Sequence, residues 1–377
     1  MKKTIISLAV TAGLAASSAA FADATVYGIL HASIDDADNG TISRTTNGND
    51  VSPTFVDVKN TDNTTMESNT SAIGVKGSED LGDGLKAIYK IEFGVDIANK
   101  PTTNPDANAP DNTGSGTSAA SDGELNRRDQ FVGLKGGFGT LKLGTMSSNY
   151  KQMGGKIDPL YRTPLEGRGF LKTQSNLHGG AGIDRGRTTN TAQYTTPKMG
   201  GFSLVGNYTF SGSEDETAGI GVRWGNKAFT VYADWIDGLT GTPGANVSDP
   251  TATQAAAKIG GKFATKVFSV GLQYEDSADK AGADYIFASG SFNINKNNQI
   301  ALTYGIQEVE VVSGADSRDS SGVAVAYNHK MSKMTNVYLG YGAFSSDIDG
   351  ADSSMLTAGI RTKFYSEKPY WLEIGVL

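Results

Sequence analysis

Residues 85–96 read LKAIYKIEFGVD. Leu85, Ala87, Tyr89, Ile91, Phe93 and Val95 fall on one side of an extended chain, and Lys86, Ile88, Lys90, Glu92, Gly94 and Asp96 on the other. A period of two held over a dozen residues predicts a β-strand, because successive side chains of a strand point to opposite faces. One face is continuously apolar and the other carries charge. Such a strand separates an apolar medium from water.

The pattern recurs along the chain. Phe202, Leu204, Gly206, Tyr208 and Phe210 alternate with Ser203, Val205, Asn207 and Thr209. Similar runs start at Phe229, Phe268, Ile300 and Val337. Their lengths approach the ~9–11 residues that cross a bilayer when tilted. The connections differ in length. LGDG (Leu81–Gly84), GGFG (Gly136–Gly139), KMG (Lys198–Gly200), GNK (Gly225–Lys227) and NINKNN (Asn293–Asn298) are short, whereas Ala37–Asn69, Ala98–Glu124, Ser147–Asp184 and Gly238–Pro250 are long. Tight turns on one side and long polar loops on the other are the mark of a transmembrane barrel. Hairpins counted from Ala24 predict sixteen antiparallel strands, all-β, the last near Met355–Phe364. A barrel of that size encloses a water-filled lumen. A soluble sandwich also alternates, but it does not sort its loops by side. Tyr27, Tyr89, Phe93, Trp224, Trp235, Tyr274 and Tyr341 near strand ends are read as an aromatic girdle.

The start, MKKTIISLAVTAGLAASSAAFA, has a basic Lys2-Lys3 pair, a short apolar run and a small-x-small end at Ala20-Phe21-Ala22. It predicts a signal peptide over residues 1–22 and export. Of 33 basic side chains two lie there, leaving 31 against 40 acidic, net −9. No general basic surface for nucleic acid exists. There is no cysteine, hence no disulfide framework or thiolate chemistry. His31, His178 and His329 lack metal-motif spacing and are read as solvated or lumen-facing. DIDGAD (Asp347–Asp352) lacks the terminal Glu of a calcium loop, since position twelve is Ala358. No metal, cofactor or enzymatic constellation is expected.

SAIGVKGSEDLGDGLKAIYKIE (Ser71–Glu92), NRRDQFVGLKGGFGTLKLG (Asn126–Gly144), RTTNTAQYTTPKMGG (Arg187–Gly201), the start ATVYGIL and the strand LTAGIRTKF resemble the general, non-specific porin family of Gram-negative outer membranes, in particular γ-proteobacterial versions. The resemblance implies a homotrimer of sixteen-stranded barrels in outer-membrane lipid. It also implies that the third long loop, here Ser147–Asp184, folds inward and narrows the pore. The function implied is passive diffusion of ions and small hydrophilic solutes. A loop that long with no structure of its own is usually functional. Family pores set basic wall side chains against acidic loop side chains, and the field between them filters charged solutes. Carried over residue by residue, the wall positions match Arg128 and Arg187, with Arg127 and Arg185 as neighbours that a one-residue slip would substitute. Two further basic positions of the family are here Ala72 and Ile29. Asp158 and Glu166 are the candidates for the acidic side of the loop, which also carries Lys151, Lys156, Arg162, Arg168 and Lys172.

Acidic residues at the long-loop end (Asp35, Asp36, Asp38, Asp347, Asp349, Asp352) and the net charge predict a weak cation preference. The alternative is a sugar-type specific channel. It needs an aromatic slide, for which Tyr232 and Tyr338 are the candidates. The chain ends GIRTKFYSEKPYWLEIGVL. Thr357–Phe364 fits the family's last strand, ending on Phe, so the barrel is expected to span 23–364 with residues 365–377 as an appendage.

Overall fold

The computed structural model describes residues 24–45, 54–98, 125–178, 186–210, 217–237, 255–277, 283–309, 319–347 and 351–366. The expected signal segment and most of the C-terminal extension lie outside these residues.

Seventeen strand segments form one sheet. They are β1 (Thr25–Thr45), β2 (Thr54–Ser68), β3 (Ala72–Gly82), β4 (Leu85–Gly94), β5 (Asn126–Gly136), β6 (Gly139–Ser147), β7 (Arg187–Thr195), β8 (Phe202–Thr209), β9 (Thr217–Gly225), β10 (Phe229–Asp237), β11 (Ala255–Ala264), β12 (Phe268–Asp276), β13 (Ala283–Asn293), β14 (Asn298–Val309), β15 (Ser320–Lys330), β16 (Thr335–Ser346) and β17 (Ser353–Tyr365). β2 and β3 are two parts of one wall strand. β1 pairs with β2 through Ala32↔Ser68 and with β3 through Ile29↔Ala72, without changing direction. The break is Asn69–Ser71, where Thr70 takes a left-handed φ of 56°. That conformation is costly for a β-branched residue. The neighbouring Asn69 N–H still donates to the His31 carbonyl at 2.8 Å. The wall therefore has sixteen antiparallel strands, closed by β17 on β1. Closure pairs the backbone polar groups within the wall, the condition for a β-structure in lipid.

The two faces separate as the alternation requires. On β12, Leu272 is 60% exposed while Glu275 is fully buried. Leu30, Ile34, Leu204, Ile259, Leu302 and Leu339 share the outward, lipid-side exposure. Inward positions carry Ser, Thr, Gln, Asn, Gly and charge. The turn between β3 and β4 runs through Gly82 (φ 88°), Asp83 and Gly84 (φ 77°), positions glycine occupies without steric cost.

Two expectations are corrected. Residues 37–45 and 54–68 are strand, not loop, and Asp35, Asp36 and Asp38 sit in β1. Tyr27 faces the lumen rather than the girdle, its hydroxyl donating to Glu92 at 2.7 Å.

At the seam, Gly28 pairs with Phe364 and Tyr27 with Tyr365. A methyl group on Gly28 would overlap the Phe364 ring. Pairing does not stop at Phe364: the Ser366 N–H donates to the Val26 carbonyl at 2.7 Å, and the Val26 N–H to Ser366 Oγ at 3.1 Å.

Candidate functional site

Between β6 and β7 the chain turns into the barrel. Ser148 opens a helix, α1 (Asn149–Ile157), its Oγ accepting from the Lys151 N–H at 3.2 Å. This is an N-cap on one of the donors a helix start leaves unpaired. Beyond Asp158 the loop continues as successive turns to a short 3-10 turn at Asn176–His178.

The loop lies on the inner face from β8 round to β16. Leu160, Leu165 and Leu171 pack with Ala301, Ala324 and Ala326. Ile157 abuts Gly271, Thr173 abuts Gly305 and Gly322, and Leu165 abuts Gly340 and Gly342. A Cβ at any of these glycines would collide with the loop, so the inner faces of β12 and β14–β16 offer a lane of small residues that the loop fills. Burying Ile157, Leu160, Leu165 and Leu171 at ~1.5–3 kcal/mol each contributes on the order of 6–12 kcal/mol to docking, an upper estimate.

A buried polar network fixes the helix end of the loop. Asn149 Nδ2 donates to Asp234 Oδ1 (3.0 Å), to the Ile220 carbonyl (2.8 Å) and to the Trp235 carbonyl (3.0 Å). Glu275 Oε2 accepts from the Tyr150 hydroxyl (3.0 Å) and the Ser175 hydroxyl (2.6 Å), and its Oε1 from Gln273 (2.7 Å). Lys258 Nζ donates to the Tyr150 carbonyl and lies 2.9 Å from His178 Nε2. Burial, then the Lys258 charge, holds His178 well below the usual imidazole range, so it is neutral. Arg223 bridges Asp234 (2.6 Å) and the Asn149 carbonyl (2.8 Å).

The opposite wall carries a second cluster. Arg128 Nε donates to Glu92 Oε1 at 2.6 Å, Lys90 lies 3.1 Å from Glu92 and 3.0 Å from Asp129, and Arg187 Nε donates to Asp129 Oδ1 at 2.9 Å. A bulge creates it. Ile91 pairs with Gln130 and Phe93 with Arg127, so Arg128 and Asp129 together oppose Glu92. Two consecutive residues thereby reach one face, as a bulge allows. Arg127 is left exposed opposite Phe93, on the outer side.

The structure thus brings Arg128 and Arg187 together. Ala72 and Ile29 are direct cross-strand partners on the inner face, apolar where basic residues were expected. Asp158 and Glu166 are not in this cluster. Asp158, 4% exposed, accepts from the N–H groups of Leu160 (2.7 Å) and Gly167 (2.9 Å). Glu166 accepts from the Arg162 N–H (2.8 Å) and Arg168 Nε (2.6 Å). Both carboxylates shape the loop itself, because its tight turns leave backbone donors that need acceptors. Burial raises the Asp158 carboxyl to about 7. The wall cations are instead countered by wall acids. Lys151 of the loop is pushed down to about 5, by burial first and then by Arg187, Arg168 and Arg128.

Sequence reasoning missed Lys90, Glu92 and Asp129, and the lane of glycines and alanines. A signal existed for the lane: small residues recur where a lumen face ordinarily carries long polar side chains. His31, expected to be solvated or lumen-facing, is on the inner face of β1, and His178, expected likewise, is in the loop; both are fully buried rather than solvated. Tyr232 and Tyr338, the candidate slide, are buried too, lying across Gly260 and Gly359. Among the described residues, no group of three or more His, Asp or Glu side chains is placed to hold a metal ion, and no helix is long and apolar enough to cross a membrane.

A family model described as Gram-negative porin matches residues 8–349. The chain belongs to the Gram-negative porin family. An outer membrane porin of Bordetella pertussis is 26% identical over 97% of this chain and 100% of its own length. The major outer membrane protein P.IB of Neisseria lactamica is 25% identical over 97% and 100%. Among solved structures, an anion-selective porin from Comamonas acidovorans (18% identity, TM-score 0.65, 90% of this chain and 99% of that one) and OmpF of Salmonella typhi in complex with daunomycin (14%, TM-score 0.66, 90% and 97%) share the fold. The porin is an outer-membrane channel, and its relatives are passive channels rather than enzymes.

Proposed function

We propose that this porin is a general diffusion channel for ions and small hydrophilic solutes, narrowed by the loop between β6 and β7 and assembled as a homotrimer in outer-membrane lipid. A closed wall with an apolar exterior and a polar interior carries the reading. The trimer is supported by a fold neighbour, the OmpT porin of Vibrio cholerae, described in trimer form. The buried state of Tyr232 and Tyr338 argues against a sugar slide. Nucleic acid is not a partner on charge grounds. Liposome swelling with a graded sugar series tests the reading: rates should fall with solute size alone, and a chemically preferred sugar would overturn it.

The expected cation preference rests on the acidic long-loop end, where Asp36, Asp38 and Asp352 are exposed. Inside, the balance reverses. Glu92, Asp129 and Asp234 each lie against a Lys or Arg, and Glu275 is fully buried. Lys76 and Lys172 remain exposed. Charges are screened over ~8 Å at physiological salt, so an ion in the narrow region responds to that wall more than to the mouth. This favours anions over the cations expected from net charge. Reversal potentials across a KCl gradient test the sign, and clear cation selectivity would overturn it.

A further inference from the structure

One cavity lies apart from both clusters. It sits between the loop turn at Pro159–Thr163 and the inner faces of β14–β17. Its volume is about 30 Å³, room for roughly two water molecules. A single carboxylate group has that size. The cavity wall carries Arg361, Asn336, Asn328 and Gln299.

Their hydrogen bonds run one way. Arg361 Nε donates to Asn336 Oδ1 at 3.3 Å, and Asn336 Nδ2 donates to Asn328 Oδ1 at 3.0 Å. This relay occupies the Asn336 and Asn328 carboxamide oxygens and leaves donors over: the terminal guanidinium nitrogens of Arg361 and the Asn328 amide; Gln299 stands outside it, its Nε2 donating to Asn293 Oδ1 at 2.8 Å. His31 also lines the cavity, is fully buried, and has no hydrogen-bond partner at Nδ1.

The charges point the same way. The charged neighbour that acts on Arg361 is another guanidinium, Arg162 of the loop, and both act on His31. The Arg162 side chain rests against the Tyr161 ring, 5.7 Å from its centroid. Its backbone is left-handed (φ 71°) and held by the N–H bond to Glu166. Elsewhere in the lumen each guanidinium we describe meets a carboxylate: Arg128 meets Glu92, Arg187 meets Asp129, Arg168 meets Glu166 and Arg223 meets Asp234. Arg162 and Arg361 make no such ion pair among the described residues.

We propose that this cavity is a subsite for the carboxylate group of small organic acids, clamped by Arg361 and Asn328 and drawn in by Arg162, with the rest of the solute left in the channel water. A planar guanidinium matches a carboxylate through two parallel N–H···O bonds. The inference rests on the channel reading above.

The test is solute-induced current noise from the full chain in planar bilayers, in KCl with added sodium succinate. Succinate should interrupt the current saturably, and succinamide, its neutral counterpart, should not. Arg361→Gln should weaken succinate binding about tenfold or more, and Arg361→Lys should restore only part of it, because an ammonium keeps the charge but not the paired donors. Arg162→Gln should slow succinate entry. Equal interruption by succinamide, unchanged binding in Arg361→Gln, or an equal loss on Lys142→Gln would overturn the proposal, the last by showing a diffuse basic lumen. Absent KCl conductance in the wild-type protein would sink the channel reading, whereas conductance without succinate interruption sinks the subsite alone.

Discussion

The loop's attachment can be measured by removing Glu275. Its carboxylate is fully buried and accepts two hydroxyls from the loop, Tyr150 at 3.0 Å and Ser175 at 2.6 Å. A hydrogen bond to a charged group is worth ~1.5–3 kcal/mol. Glu275→Leu puts an apolar side chain of similar size in its place and leaves both hydroxyls and the Gln273 amide without their acceptor, while Lys258 keeps Asp234 at 4.0 Å. Two lost tethers weaken docking by roughly 3–6 kcal/mol, which raises the undocked population about 10²–10⁴-fold. Trypsin reads that population directly when reclosure outpaces cleavage. Its sites Lys151, Lys156 and Arg162 lie in the loop, and Lys151 is buried while docked. Cleavage of refolded protein in detergent should therefore accelerate by at least a hundredfold while the barrel persists. Tyr150→Phe alone should give a smaller increase, and combining it with Glu275→Leu should be less than additive, since both remove one bond. A rise below tenfold, or full additivity, would refute the tether.

Three further outcomes follow from the same geometry. Asp158, raised from 3.8 to about 7, favours docking at low pH, and its contribution is lost as pH rises through 7. Lys151, lowered from 10.5 to about 5, favours docking at high pH, and its contribution is lost as pH falls through 5. Between about 5 and 7 the slopes oppose, each at most ~1.4 kcal/mol per pH unit, so wild-type trypsin resistance should be nearly flat. Asp158→Asn should make the loop looser as pH falls, and Lys151→Met should make it tighter; a flat profile in both variants would refute the pairing. Gly28→Val should lower the melting temperature of the folded barrel on gels by forcing Phe364 off the seam, and unchanged melting would mean that the ring has room to move. Ala72→Arg, placing a guanidinium beside Ile29, should reduce single-channel conductance and strengthen anion preference; unchanged conductance would place Ala72 outside the narrow region.

The fold was legible because lipid outside and water inside impose a period of two, and β4, β8 and β12 display it without interruption. The hairpin of β1 and β2 was not, because residues 37–45 and 54–68 carry no sustained alternation of apolar and polar side chains. Arg128 and Arg187 were legible by family likeness, and the structure joins them. Asp129, the partner of Arg187, was hidden by the bulge: strict alternation sends Arg128 and Asp129 to opposite faces, and only the register with β4 shows them together. The parts of Asp158 and Glu166 could not be read either, since a carboxylate that accepts backbone N–H groups nine or four residues away looks in sequence like one that faces a pore. The small-residue lane is distributed over four strands and becomes a surface only when they are brought together.

That lane makes the channel lopsided. With the loop packed against the inner faces of β12 and β14–β16, that part of the wall is covered by protein, while the wall cluster on β4, β5 and β7 is left on the other side. Substitutions under the loop, at Gly271, Gly305, Gly322, Gly340 or Gly342, act as core mutations and register as stability, while changes on the uncovered inner wall, the Arg361 cavity included, tune traffic.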